Sequence, residues 1–495
     1  MSVPVTSSIP VIEEQRSSIQ EMGEKKRWPV QVGTLGAFLI VAVAMYSVMI
    51  VVAPQLDQPI GLFMLVWGVT FLLYFGACIW VMRTSPLDGR GRWVELGLIF
   101  AGGLIFRAML LPLPLGLSRD AWRYLWDGRI ILHGFNPYLY TPLDRVLVSV
   151  RDNVVFPNTP YRDIPSEYPP GAQLFFLLGY LLMPANLLAT KALFVLCDLV
   201  TSLGVGLLLL RKRMDPRRLI IYAWCPLPIV EFAIQGHVDA VAIMFTVLTV
   251  VCASGTWRGA RVVAGICLGL ATLAKIYPLI LLLALVRRRD WPLVLACVLT
   301  LILGYLPFML FSDGHPLAAP LSFVGQSGLH PGFIPTLFFM LERHVRTVWI
   351  RGNLFIDLVV ASIMLPMLVI VVVQRWRKCL SEELAVLLLV GSFMVASAHI
   401  FPWYAAAFVP WLALQLGPVW TREGFQACRL MFVMVWYFTY TATLSYIPGL
   451  KQYFTDTNWL LYFSASFGVM LLGWLVAGIL AWVLPRPKRV KDIFY

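Results

Sequence analysis

Residues 30–53 read VQVGTLGAFLIVAVAMYSVMIVVA, an apolar run without a single charge. A helix crosses the hydrocarbon core of a bilayer with about 20 such residues. The run is too long for the core of a secretory signal and lacks a clear cleavage site, so it reads as an uncleaved first span. Working outward from it, comparable stretches recur roughly a dozen times along the chain. The composition agrees. Of 495 residues, 59% are hydrophobic and 13% charged, against about 25% charged in soluble domains. The mean hydropathy is +0.79. The fold class these features predict is an all-α polytopic membrane protein.

The net charge of +13 does not point to nucleic acid. The Lys and Arg residues concentrate between apolar stretches, at Lys25-Lys26-Arg27, Arg211-Lys212-Arg213, Arg287-Arg288-Arg289, Arg375 to Lys378 and Arg486 to Lys491. That is the signature of cytoplasmic loops. The eight cysteines lie mostly within apolar stretches, and none pair at metal-ligand spacing. They read as small core residues.

Hydropathy and loop charge together predict a cytoplasmic tail over 1–28, a membrane domain over 29–484 and a second cytoplasmic tail over 485–495. Expected spans lie near 30–53, 60–82, 94–115, 189–210, 219–234, 238–254, 262–274 with 276–286, 291–312, 353–374, 382–400, 402–417, 429–447 and 459–484. This set puts every basic cluster inside and two long polar loops, 117–170 and 312–351, outside. Gly171 to Met183 is too short to span upright and reads as interfacial or half-inserted. The pair at 262–286 is broken at Lys275 and Pro278, as two thin crossings or a kinked hairpin. No internal repeat is visible.

The first external loop opens with Ser118-Arg119-Asp120-Ala121-Trp122-Arg123-Tyr124-Leu125-Trp126-Asp127-Gly128-Arg129. On a helix, Asp120, Arg123, Tyr124 and Asp127 share one face, and Trp122, Leu125, Trp126 and Ile130 share another. This predicts an amphipathic helix at the bilayer surface, with two carboxylates at headgroup depth. A purely interfacial anchor with solvated charges would show the same pattern. Gly134-Phe135-Asn136-Pro137-Tyr138 and Glu167-Tyr168-Pro169-Pro170 punctuate the rest of the loop with turns.

Charges inside apolar stretches are costly and need a partner or a purpose. Arg107 and Asp198 are expected to pair with each other. Glu231, Gln235, His237 and Asp239 cluster around Gly236, where the backbone can break. Lys275 either snorkels or meets a phosphate as a point charge. His399, Pro402, Trp403 and Tyr404 form a further polar and aromatic group, which an aromatic belt would explain in part.

The ordered set Asp120, Arg123-Tyr124, Gly134, Asn136-Pro137-Tyr138 and Tyr168-Pro169-Pro170 resembles the first luminal loop of GT-C glycosyltransferases. Lys191 to Asp198, Gly236-His237-Val238-Asp239 and Ala274-Lys275-Ile276-Tyr277-Pro278 extend the resemblance, with a weaker match at His399 to Tyr404. The set is most similar to the first mannosyltransferase of GPI-anchor assembly and to bacterial polyprenol-phosphate-mannose-dependent α-mannosyltransferases. One departure stands out. Where the GPI enzymes carry an Asp-x-Asp pair, this chain has Ser118 and Asp120. The acidic pair is incomplete, which weakens the inference of a divalent metal, although Asp127 or Glu167 could complete such a site.

The resemblance implies transfer of a sugar, mannose above others, from a polyprenyl-phosphate donor to a glycolipid or glycan acceptor. Transfer would occur on the outer or periplasmic face of the cell membrane, with inversion. A phosphate leaving group needs no proton, so one carboxylate suffices as general base, and Asp120 is the expected one. Lys275, His237, Arg123 and His399 are the expected partners of the donor phosphate. Tyr124, Asp127, Asn136, Tyr138, Glu167, Tyr168, Gln235, Asp239, Trp403 and Tyr404 are the expected substrate-binding residues. Gln326, His330 and Pro331 of the second loop could assist with acceptor. Two other readings share these features: the same fold using another polyprenyl-phosphate sugar, and a lipid-linked sugar transporter or flippase. A non-catalytic scaffold is a third.

Overall fold

The structure, a computed structural model, describes residues 9–53, 60–287, 290–310, 316, 352–397, 400–449 and 456–484. His399, the C-terminal tail and the second external loop with Gln326, His330 and Pro331 lie outside the described residues.

The longer helices are α1 (Ile9–Val52), α2 (Gly61–Arg83), α3 (Gly89–Leu110), α4 (Asp120–Leu132), α5 (Pro170–Leu182), α6 (Leu187–Arg211), α7 (Asp239–Ala253), α8 (Ala260–Ala274), α9 (Trp291–Met309), α10 (Gly352–Trp376), α11 (Glu382–Ala396), α12 (Ala427–Thr441), α13 (Asp456–Phe463) and α14 (Val469–Val483). The chain is an all-α polytopic membrane protein. Sheet among the described residues is limited to Trp420–Thr421 paired antiparallel with Gly424–Phe425.

Six described stretches are long and apolar enough to cross a membrane: Trp28–Val52, Gly61–Arg83, Gly89–Leu110, Leu187–Arg211, Trp291–Met309 and Thr457–Val483. They expose large aliphatic side chains such as Ile40, Leu72, Leu203 and Leu303, as lipid-facing helices do. Apart from 353–374, which holds the 25-residue α10, the other expected crossings contain shorter helices. α7 and α8 have 15 residues each, about 22 Å of helix, less than the roughly 30 Å hydrocarbon core. The expected span over 219–234 is broken into a helical turn at Ile220–Ala223, another at Pro226–Ile229 and a π-turn at Val230–Ile234. Pro226 and Pro228 have no N–H to give a helix ladder, which is why the segment does not run straight. α1 extends back to Ile9 through residues expected to form a tail.

The expected partnership inside the membrane forms. Arg107 Nε lies 2.5 Å from Asp198 Oδ2, and both are buried. Arg107 also donates to the carbonyls of Gly103 and Ala223, and the Tyr222 hydroxyl donates to Asp198. The pair is thus embedded in hydrogen bonds from three segments.

Three of the basic clusters meet at one end of the bundle. Lys212 pairs with Glu383, while Arg287 and Arg375 share Glu382. Arg287 also donates to the Ala253 carbonyl at the end of α7. The N-terminal end of α7 carries Asp239, so the basic latch and the Asp239 neighbourhood lie at opposite ends of that helix.

α4 crosses α5 at close range. A Cβ on Gly128 would stand 2.4 Å from the Phe176 carbonyl oxygen. The contact is open only to glycine, and it fixes the first loop helix against the membrane domain.

Candidate active site

The site is built mainly from four segments, the start of α4, the turn between Val230 and Asp239, the end of α8, and the 401–404 segment, with Tyr168 and Tyr446 reaching in from two others. Each of the four is a place where a helix starts, ends or breaks. Asp120 is the first residue of α4, and its amide donates to the Ser118 hydroxyl. Ser118, standing where the resemblance has the first acidic residue, therefore anchors the helix start. The preceding strand of chain is held by Gln235, whose Oε1 accepts from the amides of Gly116, Leu117 and Ser118.

The second segment turns at Gly236, which has φ +67°. A Cβ there would meet Lys191 Cγ at 2.9 Å. Strain and crowding both exclude a side chain at this turn. The π-turn before it swings Glu231 inward, and the His237 amide donates to the Glu231 carbonyl. His237 and Glu231 thus come from one local loop of backbone.

The geometry is compact. His237 Nδ1 lies 4.0 Å from Asp120 Oδ2, and His237 Nε2 lies 3.4 Å from Glu231 Oε2. Lys275, the extended residue that ends α8, places Nζ 3.3 Å from Asp239 Oδ2. The same ammonium sits 5.4 Å from the ring centres of both Tyr168 and Tyr404. The Tyr446 hydroxyl donates to Glu231. Asp120 is 17% exposed, whereas His237 and Glu231 have no exposed side-chain surface. Asp120 is therefore the carboxyl of this group that meets the outside.

Burial pushes the Asp120 carboxyl up to about 6 from its ordinary 3.8, against the opposing pull of the Lys275 charge and the Ser118 hydroxyl. The negative charge of Asp239 adds to the rise, and the Tyr168 hydroxyl opposes it. A carboxyl poised near neutrality is a better proton acceptor than an ordinary aspartate and is still ionised at neutral pH.

Residues 167–402 match the model of glycosyltransferase family 87. This is a family of GT-C-like membrane glycosyltransferases, in accord with the resemblance seen in the sequence, and the match indicates a membrane glycosyltransferase. The family 87 segment contains Tyr168, Glu231, His237, Asp239 and Lys275, while Asp120 and α4 precede it. No curated protein and no solved structure matches the chain.

Beside that segment, the sequence-predicted residues divide into two groups. Asp120, His237, Asp239, Lys275, Tyr168, Trp403 and Tyr404 converge. The rest of the expected set, apart from His399, which lies outside the described residues, builds the wall. Arg123 is spent on Asp127 and on the carbonyls of Tyr161 and Ile164. Asp127 is completely buried and accepts from Ser166 and Gln173. The polar face of α4 therefore packs inward and pins the 161–166 segment, instead of lying at the headgroups as the sequence pattern predicts. Tyr124 is stacked on Phe176 and is 1% exposed. Asn136 donates to the Phe308 carbonyl at the end of α9, and the Tyr138 hydroxyl donates to the Tyr168 carbonyl at 2.6 Å. Gln235 holds backbone, as described. Glu167 is half-buried next to Tyr168.

Trp403, expected at the substrate, packs against the histidine. One face lies 3.7 Å from the His237 ring and it stacks on Phe401 at 4.6 Å, so its ring supports the histidine. Two contributors escape sequence reading. Glu231 stood out only as one charge in a cluster, and Tyr446, about 200 residues further on, carried no signal at all. Among the described residues, no three or more His, Cys, Asp or Glu side chains form a group that could hold a metal ion.

Proposed function

We propose that the chain transfers a sugar, mannose above others, from a polyprenyl-phosphate donor to a hydroxyl of a glycolipid or lipid-linked glycan. The reaction takes place on the outer face of the cell membrane and inverts the anomeric centre. The observation that carries this reading is Asp120: a partly exposed carboxyl, raised to about 6, beside a lysine that also faces two tyrosine rings.

Asp120 takes the proton of the acceptor hydroxyl as its oxygen attacks the anomeric carbon. The bond from that carbon to the phosphate oxygen breaks, and the lipid phosphate leaves as a stable anion without a proton. Lys275 supplies positive charge to the departing phosphate. Its present partner, Asp239, keeps the ammonium in place and pays for its partial burial until the phosphate arrives. The rings of Tyr168 and Tyr404, each 5.4 Å from the ammonium, restrict where it can go.

The test incubates purified protein with a panel of polyprenyl-phosphate sugars and glycolipid acceptors, wild type beside Asp120→Asn. Glycosidic product from the mannosyl donor, lost in the variant, supports the reading. Product from a different donor corrects the sugar. Movement of labelled lipid across vesicles with no glycosidic bond formed would replace transfer by transport.

A further inference from the structure

Behind Asp120, away from the open side, stands a row of side chains that the reaction above does not use. His237 is completely buried, and neither of its ring nitrogens has a hydrogen-bond partner. A buried imidazole left this way is costly, so the arrangement calls for an explanation. Each nitrogen faces a carboxyl oxygen: Nδ1 faces Asp120 at 4.0 Å and Nε2 faces Glu231 at 3.4 Å. Stacking on Trp403 stops the ring from tipping. Catalytic hydrogen bonds are often long before substrate binds and tighten in the loaded complex.

One hydrogen pattern satisfies the whole row with an ionised base at its outer end. Nδ1–H donates to the Asp120 carboxylate. Nε2 then has only a lone pair, which takes the O–H of a protonated Glu231. The Tyr446 hydroxyl, donating to Glu231 at 3.0 Å, completes the chain. The opposite tautomer would aim a lone pair at the Asp120 carboxylate and repel it.

We propose that His237 is a positioning residue that orients the Asp120 carboxylate through Nδ1–H, with Glu231 fixing its tautomer from behind. The inference rests on Asp120 acting as the base. It assigns His237 to the aspartate, not to the donor phosphate, which a side chain with no exposed surface does not reach.

Amide isosteres separate orientation from packing. The amide nitrogen of asparagine can take the place of Nδ1, and that of glutamine the place of Nε2. A glutamine at position 231 can still donate to Nε2, whereas a leucine cannot. His237→Asn and Glu231→Gln are expected to keep kcat within about threefold, while His237→Gln and Glu231→Leu lose about 10²-fold, the scale set by misorienting a reacting group. KM for the donor is expected to stay unchanged in all four. Each variant is first checked for a wild-type melting temperature and elution, and the two pairs are independent should one member fail to fold. Equal losses within each pair, or losses that fall on donor KM, would overturn the positioning role. Wild-type transfer abolished by Asp120→Asn keeps the underlying reading standing in that event. An Asp120→Asn variant that retains full turnover would remove the base itself, and this inference with it.

Discussion

Acidifying the assay should switch the enzyme off well above the pH at which an ordinary aspartate titrates. Burial raises the Asp120 carboxyl to about 6, and only its ionised form can accept a proton. The sign follows directly: a raised base is lost as the pH falls, so kcat/KM declines on the acid side. With a midpoint near 6, about nine-tenths of the enzyme is competent at about pH 7 and about one-tenth at about pH 5, a nearly tenfold drop in rate. At 3.8, its ordinary value, the same carboxyl would still be more than about nine-tenths ionised at about pH 5, and the rate would hardly change. The two cases are therefore easy to tell apart. The rise from 3.8 to about 6 corresponds to about 3 kcal/mol against ionisation in place. The assay measures transfer from a radiolabelled donor at limiting acceptor between about pH 4.5 and 8, with melting temperature followed in parallel to exclude acid unfolding. Asp120→Asn should lose about 10²- to 10⁴-fold in turnover, and its residual rate should show no acid limb. A wild-type limb below about 4.5, or the same limb surviving in Asp120→Asn, would refute the reasoning.

Other outcomes follow from particular contacts. Lys275→Gln should raise donor KM by about tenfold or more, because a charge-assisted contact to phosphate contributes about 1.5–3 kcal/mol, and it should move the acid limb upward, since the lysine lowers the Asp120 value; a limb that moves downward would contradict this. Gly128→Ala drives a Cβ to 2.4 Å from the Phe176 carbonyl and should cost about 1–3 kcal/mol, read as a lower melting temperature, with loss of transfer as α4 shifts. Arg107→Met alone strands the buried Asp198 carboxylate and should destabilise by about 3–5 kcal/mol, whereas Arg107→Met with Asp198→Leu should recover much of that loss. Glu382→Gln releases Arg287 and Arg375 at the far end of the bundle and should change stability by less than about 1 kcal/mol, with transfer intact.

Membrane character needs no tertiary information. Hydrophobic composition and run length are properties of the chain itself, because a bilayer reads apolar side chains one segment at a time. The separation of basic loops from the polar segment at 117–170 follows in the same way. The Arg107–Asp198 pairing was also legible, since two charges in apolar surroundings have few alternatives but each other. Asp120 in the polar loop, and His237, Asp239 and Lys275 at breaks in apolar stretches, also stood out in the sequence, and the fold brings them together.

The division of labour among them was not legible. Helical periodicity put Asp120, Arg123, Tyr124 and Asp127 on one face, but periodicity cannot tell a face turned to headgroups from one turned to the 161–173 segment. Packing decided that, by burying Arg123 and Asp127 and leaving only Asp120 at the rim. Trp403 likewise supports an imidazole, and Tyr446 reaches Glu231 from a distant helix. The physical reason is range. Local sequence determines which backbone can form and which segments prefer lipid, whereas the state of a carboxyl depends on what is packed within a few ångströms of it, whatever its distance along the chain.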